Sequence, residues 1–186
     1  MTTFPVGLDV AGRACLVVGG GPVGARKAAS LVACGADVTV VAPEIAVSLA
    51  AGPGLRIERR PYRPGEAADY WFVTAATNDE AVNQQVADDA TAARVWVNVA
   101  DDPAKCSAVL PAVLRRGPIT VTVSTSGSAP ALASWLRDRI AGVVGPEFEA
   151  VAAELAARRA AIHAAGDTTE GLDWRTQIEE LTGAMR

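Results

Sequence analysis

Histidine and lysine are scarce in this chain of 186 residues: His163 stands alone, and Lys27 and Lys105 are the two lysines among 17 basic residues. A single histidine in an alanine-rich stretch beside Arg158 and Arg159 reads as surface, so histidine-based catalysis has little to build on. The lysine deficit reads as coding bias. Three cysteines, Cys15, Cys34 and Cys106, are an odd number without a CxxC pair, which argues against a disulfide framework or a zinc site and for reduced thiols. No metal site is expected, and Cys15 is assigned to the core. No run approaches the roughly 18 apolar residues of a membrane helix. The opening Met-Thr-Thr-Phe-Pro lacks the basic and apolar segments of a secretion signal. The expectation is a cytoplasmic protein with no membrane partner. A basic surplus is missing too, and a net charge of -4 argues against a nucleic-acid partner.

What is present is an alternation of short apolar runs and helix formers. Ala14–Gly19 is an apolar run bounded by glycines, as a buried strand should be. Pro22–Cys34 follows with proline in the first turn and Gly35 as a stop, which predicts a helix. Asp37–Val41 is the next strand, so about 30 residues make one βαβ unit with parallel strands. A weak helix at Ile45–Ala51, strands at Leu55–Arg59, Tyr70–Ala76 and Val95–Val99, and a helix at Asp79–Ala92 complete the pattern. This predicts an α/β fold, a Rossmann-type doubly wound parallel sheet over residues 1–106. Two strands, Ser107–Leu114 and Ile119–Thr125, flank a turn at Arg115–Pro118, and three helices follow at 131–140, 148–165 and 172–181. These are too few to enclose a core of their own and must pack on the first domain, on each other or on a second copy.

Gly19, Gly21 and Gly24 fit GxGxxG, a weak pattern alone. Its position between a strand and a helix strengthens it: the first glycine turns tightly, the second admits a pyrophosphate, and the third lets helix and strand pack closely. Gly19, Gly20, Gly21, Pro22, Val23 and Gly24 are therefore assigned to a dinucleotide, with helix N–H groups toward the phosphates. Glu44 lies slightly past the usual ribose-binding position, and no Arg or Lys occurs from there to Gly54, which favours NAD over NADP. Thr77 and Asn78 follow a strand on the ligand-binding edge, where Thr77-Asn78-Asp79 is equally a helix N-cap.

Asn98-Val99-Ala100-Asp101-Asp102-Pro103 reaches the same edge. Adjacent carboxylates before a proline make an ordinary turn. Beside bound NAD, one of them could accept a proton as hydride leaves a substrate. A Tyr-x-x-x-Lys pair is absent, since Glu66 and Thr74 stand four residues after Tyr62 and Tyr70.

Phe4-Pro5, LVVGGGPVGARKA, VTAATNDEAVNQQV, VNVADDPAKCSAVLPAVLRRG and ITVTVSTSGSAPALASWLRDRI together resemble the precorrin-2 dehydrogenase/sirohydrochlorin ferrochelatase family, also found as part of siroheme synthase. The resemblance runs through nearly the whole chain. It implies NAD-dependent oxidation of a tetrapyrrole, precorrin-2, to sirohydrochlorin in siroheme biosynthesis. It also implies a homodimer formed through residues 107–145, with 146–186 as a C-terminal helical region. Asp101 matches the family's catalytic aspartate, Asn98 helps shape the site, and Ser124 and Ser126 lie in its small-residue turn. Some relatives also insert Fe²⁺, or Co²⁺, into the product, and the sequence leaves that second activity open. A polycarboxylate substrate needs cations, and Lys105, Arg115 and Arg116, with Arg137 and Arg139, cluster after the Rossmann segment. The competing expectation is an NAD-binding sensor or structural protein without chemistry, which would require neither Asp101 nor the arginines.

Overall fold

The computed structural model describes residues 3–46 and 49–183. Contacts divide the chain into two compact units, residues 1–110 and 111–186.

The first unit is a parallel sheet of five strands: β1 (Ala14–Val18), β2 (Asp37–Val41), β3 (Leu55–Glu58), β4 (Phe72–Ala75) and β5 (Trp96–Val99). Their order is β3-β2-β1-β4-β5, with every neighbour parallel. The chain therefore runs outward from β1, returns to its other side at β4, and leaves a crevice beyond the carboxyl ends of β1 and β4. Helix α1 (Pro22–Val32) links β1 to β2, and α2 (Glu80–Ala92) links β4 to β5.

Alternation along β1 explains why both faces are covered. Leu16 and Val18 join Val73, Val97 and the α2 residues Val86, Ala87 and Ala90 in one apolar cluster. Cys15 and Val17 join Val38, Val40, Phe72 and Ala28 of α1 in the other. Each fully buried Val or Leu contributes roughly 1.5–3 kcal/mol, so these two layers hold the sheet. Burial also pushes the Cys15 thiol up to about 11, consistent with a core residue.

Two connections differ from expectation. Ile45, Ala46 and Leu49–Ala51 are not helical, and Val47 and Ser48 of that expected helix lie outside the described residues. The Ala46 N–H donates to the Gly20 carbonyl at 2.8 Å, so this segment folds over the glycine loop instead. The expected strand at Ser107–Leu114 begins only at Ala112. Ser107 and Ala108 instead close the outer edge of β5: both N–H groups donate to the Val97 carbonyl at 3.0 Å, and the Val97 N–H donates to Ser107 Oγ at 2.8 Å. Farther along that edge, Val99 N lies 3.2 Å and Val99 O 3.3 Å from Cys106 Sγ.

The second unit opens with an antiparallel hairpin, β6 (Ala112–Arg116) and β7 (Ile119–Val123). Arg115 and Arg116 belong to the strand rather than the turn, which is Gly117-Pro118. Gly117 supplies the positive φ of 51° that a two-residue hairpin needs and proline cannot. Helix α3 (Pro130–Ala141) packs on both hairpin strands, α4 (Phe148–Ala164) on β7, and α5 (Trp174–Gly183) on α4. The core of this unit is thin: among its described hydrophobic residues, Leu114, Ala133 and Val151 are buried.

Candidate functional site

A cleft of about 680 Å³ opens beyond the carboxyl ends of β1, β2 and β4. Gly19, Gly20, Gly21, Glu44, Thr77 and Asn78 line it, so six of the residues expected at a dinucleotide converge there. Pro22, Val23 and Gly24 form the first turn of α1 behind them.

The glycines have distinct reasons. Gly19 has φ 121°, and a Cβ there would run into the Ala76 carbonyl. A Cβ on Gly24 would run into the carbonyl of Gly19, so that glycine permits the close approach of helix and loop. Gly21 is different: nothing lies within 4 Å of where its Cβ would stand, and its φ of -77° suits any residue. The space above it is open. No side chain caps α1 and its first turn carries no acid, which leaves the positive end of the helix dipole facing that space. Open volume at an uncapped helix N-terminus fits a pyrophosphate.

The far wall is braced internally. Asp79 caps α2, accepting from Ala81 N at 2.9 Å and Val82 N at 3.3 Å. Thr77 is held by Asn83, with its hydroxyl 2.8 Å from Asn83 Oδ1 and its carbonyl accepting from Asn83 Nδ2 at 3.0 Å. Asn78, between them, lines the cleft. Pro61 and Tyr62 also line it, which the sequence did not signal. The Tyr62 hydroxyl donates to Asp89 at 2.8 Å, and Asp89 also accepts the Gly65 N–H at 2.6 Å. Burial works to raise the Asp89 carboxyl, but these donors and Gln85 outweigh it and hold the group below its ordinary value.

Removing one donor by Tyr62→Phe should cost about 1 kcal/mol at neutral pH. Because the folded value is depressed, Asp89 stabilises the fold in full above the ordinary carboxylate range of about 4 and loses that effect as pH falls through the folded value. The gap in urea midpoint between wild type and Tyr62→Phe should therefore narrow in acid to what the Ala67 N–H bond to the hydroxyl contributes. A gap of unchanged size in acid would contradict this assignment.

Beyond β5 the two adjacent acids have different surroundings. Asp102 caps a short 3₁₀ turn, Pro103–Lys105, through Ala104 N at 3.2 Å and lies 2.9 Å from Lys105 Nζ. The Lys105 hydrogen bond holds its carboxyl below the ordinary value. Asp101 is exposed and has φ 60°, a conformation costly for a residue with a side chain. Lys105 also meets Glu80 at 3.3 Å, so carboxylates already surround its charge. Asn98 is buried at the end of β5 and accepts a hydrogen bond from Lys27 Nζ at 2.9 Å. Lys27 was not singled out in the sequence, where it sits 71 positions from that partner.

Arg115, Arg116, Ser124 and Ser126 belong to the second unit. Arg116 Nε is buried without a hydrogen-bond partner, whereas Ser124 Oγ accepts the Ser126 N–H at 3.1 Å in a turn where Ser126 has φ 53°.

Sheet order, glycine loop and cleft together define a dinucleotide-binding protein of Rossmann type. Residues 6–112 match the family described as putative NAD(P)-binding, and residues 116–142 match the sirohaem biosynthesis protein central family. A siroheme synthase of Methylobacillus flagellatus is 39% identical over 166 residues, covering 87% of this chain and 35% of the relative. One from Thioalkalivibrio sulfidiphilus is 41% identical over 174 residues, covering 91% and 35%. A solved structure described as SirC, precorrin-2 dehydrogenase, superposes with a TM-score of 0.72 at 27% identity, covering 99% of this chain and 90% of that one. The chain belongs to the NAD(P)-binding family of the siroheme synthases and precorrin-2 dehydrogenase. It spans about a third of the length of the siroheme synthases it matches.

Proposed function

We propose that this protein is an NAD-dependent dehydrogenase that oxidises precorrin-2 to sirohydrochlorin. The observation that carries the reading is the likeness to a precorrin-2 dehydrogenase along 99% of the chain. An uncapped glycine-loop helix beside the Asp101 segment supports it. When bound, NAD supplies the acceptor for the hydride that leaves the macrocycle. Gly19–Gly24 hold the pyrophosphate, and Glu44, Thr77 and Asn78 bound the remainder of the cofactor's cleft. Arg60, next to the cleft residue Pro61, is engaged by Glu58 and Glu66, each at 2.6 Å, and is not available for a 2′-phosphate. This favours NAD over NADP.

Asp101 takes the proton that leaves the macrocycle carbon skeleton, as its exposed carboxylate at the sheet's carboxyl edge allows. Asn98 orders that edge from below. Arg115 and Arg116 are stronger candidates for substrate carboxylates than Lys105, whose charge is already met by two acids; Ser124 and Ser126 are further candidates. The test is anaerobic incubation of NAD with precorrin-2, following NADH and sirohydrochlorin together. Tight NAD binding without turnover would favour a sensor.

We also assign a homodimer and a cytoplasmic location. An odd number of cysteines without a CxxC pair supports a reducing compartment. The thin core of the second unit supports a second copy as the cover for Leu132, Trp135 and Val143, which are 49%, 57% and 76% exposed. Trp135→Glu is expected to convert a dimer to a monomer in sedimentation at micromolar concentration. A wild-type chain that sediments as an active monomer would refute the dimer.

A further inference from the structure

Lys27 lies in the second turn of α1, partly buried, with its ammonium on Asn98 Oδ1. The other end of that amide is committed: Asn98 Nδ2 donates to the Ala108 carbonyl at 2.9 Å and lies 3.6 Å from Cys106 Sγ. Both halves of the side chain are thus fixed, and its oxygen must face the lysine. In register beside Asn98 stands Thr74, fully buried, with a hydroxyl that has no hydrogen-bond partner. The carboxyl half of β4 and β5 therefore carries polar side chains where an apolar pair would pack at lower cost. Burial, and then the charge of Arg26, lower the Lys27 ammonium below its ordinary value, while Cys106 and Asp101 act in the opposite direction.

We propose that Lys27 is a positioning residue for the Asp101 loop, gripping Asn98 near the end of β5 so that the loop that follows keeps a fixed relation to α1. The inference rests on the reading of Asp101 as the proton acceptor. Gly21 and Lys27 are six residues apart on one helix, roughly 9 Å along its axis. The element whose N-terminus meets the pyrophosphate thereby also sets the acid. A loop with φ 60° at Asp101 needs such ties, because an unrestrained backbone would relax toward negative φ.

Lys27→Met removes both charge and donor, Lys27→Gln removes charge alone, and Lys27→Arg retains it. Lys27→Met should lower kcat for precorrin-2 oxidation about tenfold or more, since small misplacements of a reacting group are costly. KM and the NAD dissociation constant should stay within about threefold of wild type, which a general loss of structure would not allow. Lys27→Arg should recover most of the rate. A second measurement needs neither substrate nor cofactor: iodoacetamide labelling of Cys106, resolved by peptide mass spectrometry. Compared as the pH-independent rate of the thiolate, since losing the Lys27 charge by itself disfavours the thiolate, labelling should rise about tenfold in Lys27→Met as the loop opens locally, with Cys34 unchanged. Should Lys27→Met not fold, Lys27→Gln carries the same expectations at smaller amplitude. Wild-type labelling of Cys106 in a folded variant, or wild-type kcat, overturns the proposal. A wild-type enzyme that does not oxidise precorrin-2 strikes the reaction assigned above, and the labelling then decides the positioning role by itself.

Discussion

Gly21→Asp is expected to weaken NAD binding by at least about 100-fold, equivalent to roughly 2.7 kcal/mol, while leaving the chain folded. The two halves of that expectation have separate causes. Gly21 has open space at its Cβ and an ordinary φ, so a side chain meets no protein atom. The same carboxylate would stand in the path of the pyrophosphate and neutralise the helix terminus that attracts it. Gly24→Ala is the contrast, because its Cβ would collide with the Gly19 backbone. That variant should lose stability first, with affinity following. Calorimetry beside thermal melts separates the two, and unchanged affinity in folded Gly21→Asp would reject this placement of the dinucleotide.

Asp101→Ala should lose turnover by roughly 100-fold or more with NAD affinity retained, as expected for a group acting on a proton in the chemical step. Asp102→Ala makes a sharp control. Its carboxylate caps the turn at Pro103–Lys105 and pairs with Lys105, so its loss should appear as a lower melting temperature and a milder effect on rate. Near wild-type oxidation by Asp101→Ala would remove Asp101 from the mechanism and leave the Rossmann domain intact. Running the same pair with sirohydrochlorin and Fe²⁺ or Co²⁺ would show whether metal insertion occurs and depends on the same carboxylate.

The strand, glycine loop, helix and second strand were legible because each is local: an apolar run, glycines at fixed offsets, and proline at the first helical position. An N-cap within Thr77-Asn78-Asp79 was legible for the same reason, although Asp79, expected as the first helical residue, is itself the cap. The expected helix at Ile45–Ala51 was a short apolar stretch with weak signals, and hydrogen bonding to Gly20 outweighed its propensity. Ser107–Leu114 read as a strand because an apolar run does not declare its partner, and part of it pairs sideways with β5. Lys27 with Asn98, and Tyr62 with Asp89, are separated by 71 and 27 residues. Such contacts exist only once the sheet is ordered, so no spacing rule could find them. Lys105 was visible as a cation, but the acids around it were not.

The closure of β5 by Ser107, Ala108 and Cys106 bears on how copies of this chain can meet. An outer strand normally offers a ladder of unpaired amides to any extended peptide, which is how sheets fuse into fibrils or zip across a subunit boundary. Here Val97 is sealed by backbone and hydroxyl groups, whereas Val99 is sealed by a thiol, a weak donor and acceptor. Strand-to-strand fusion along that border is blocked in the reduced protein. Replacing Cys106 by alanine would uncover the Val99 N–H and carbonyl, and this border would then offer a docking ladder to an extended peptide.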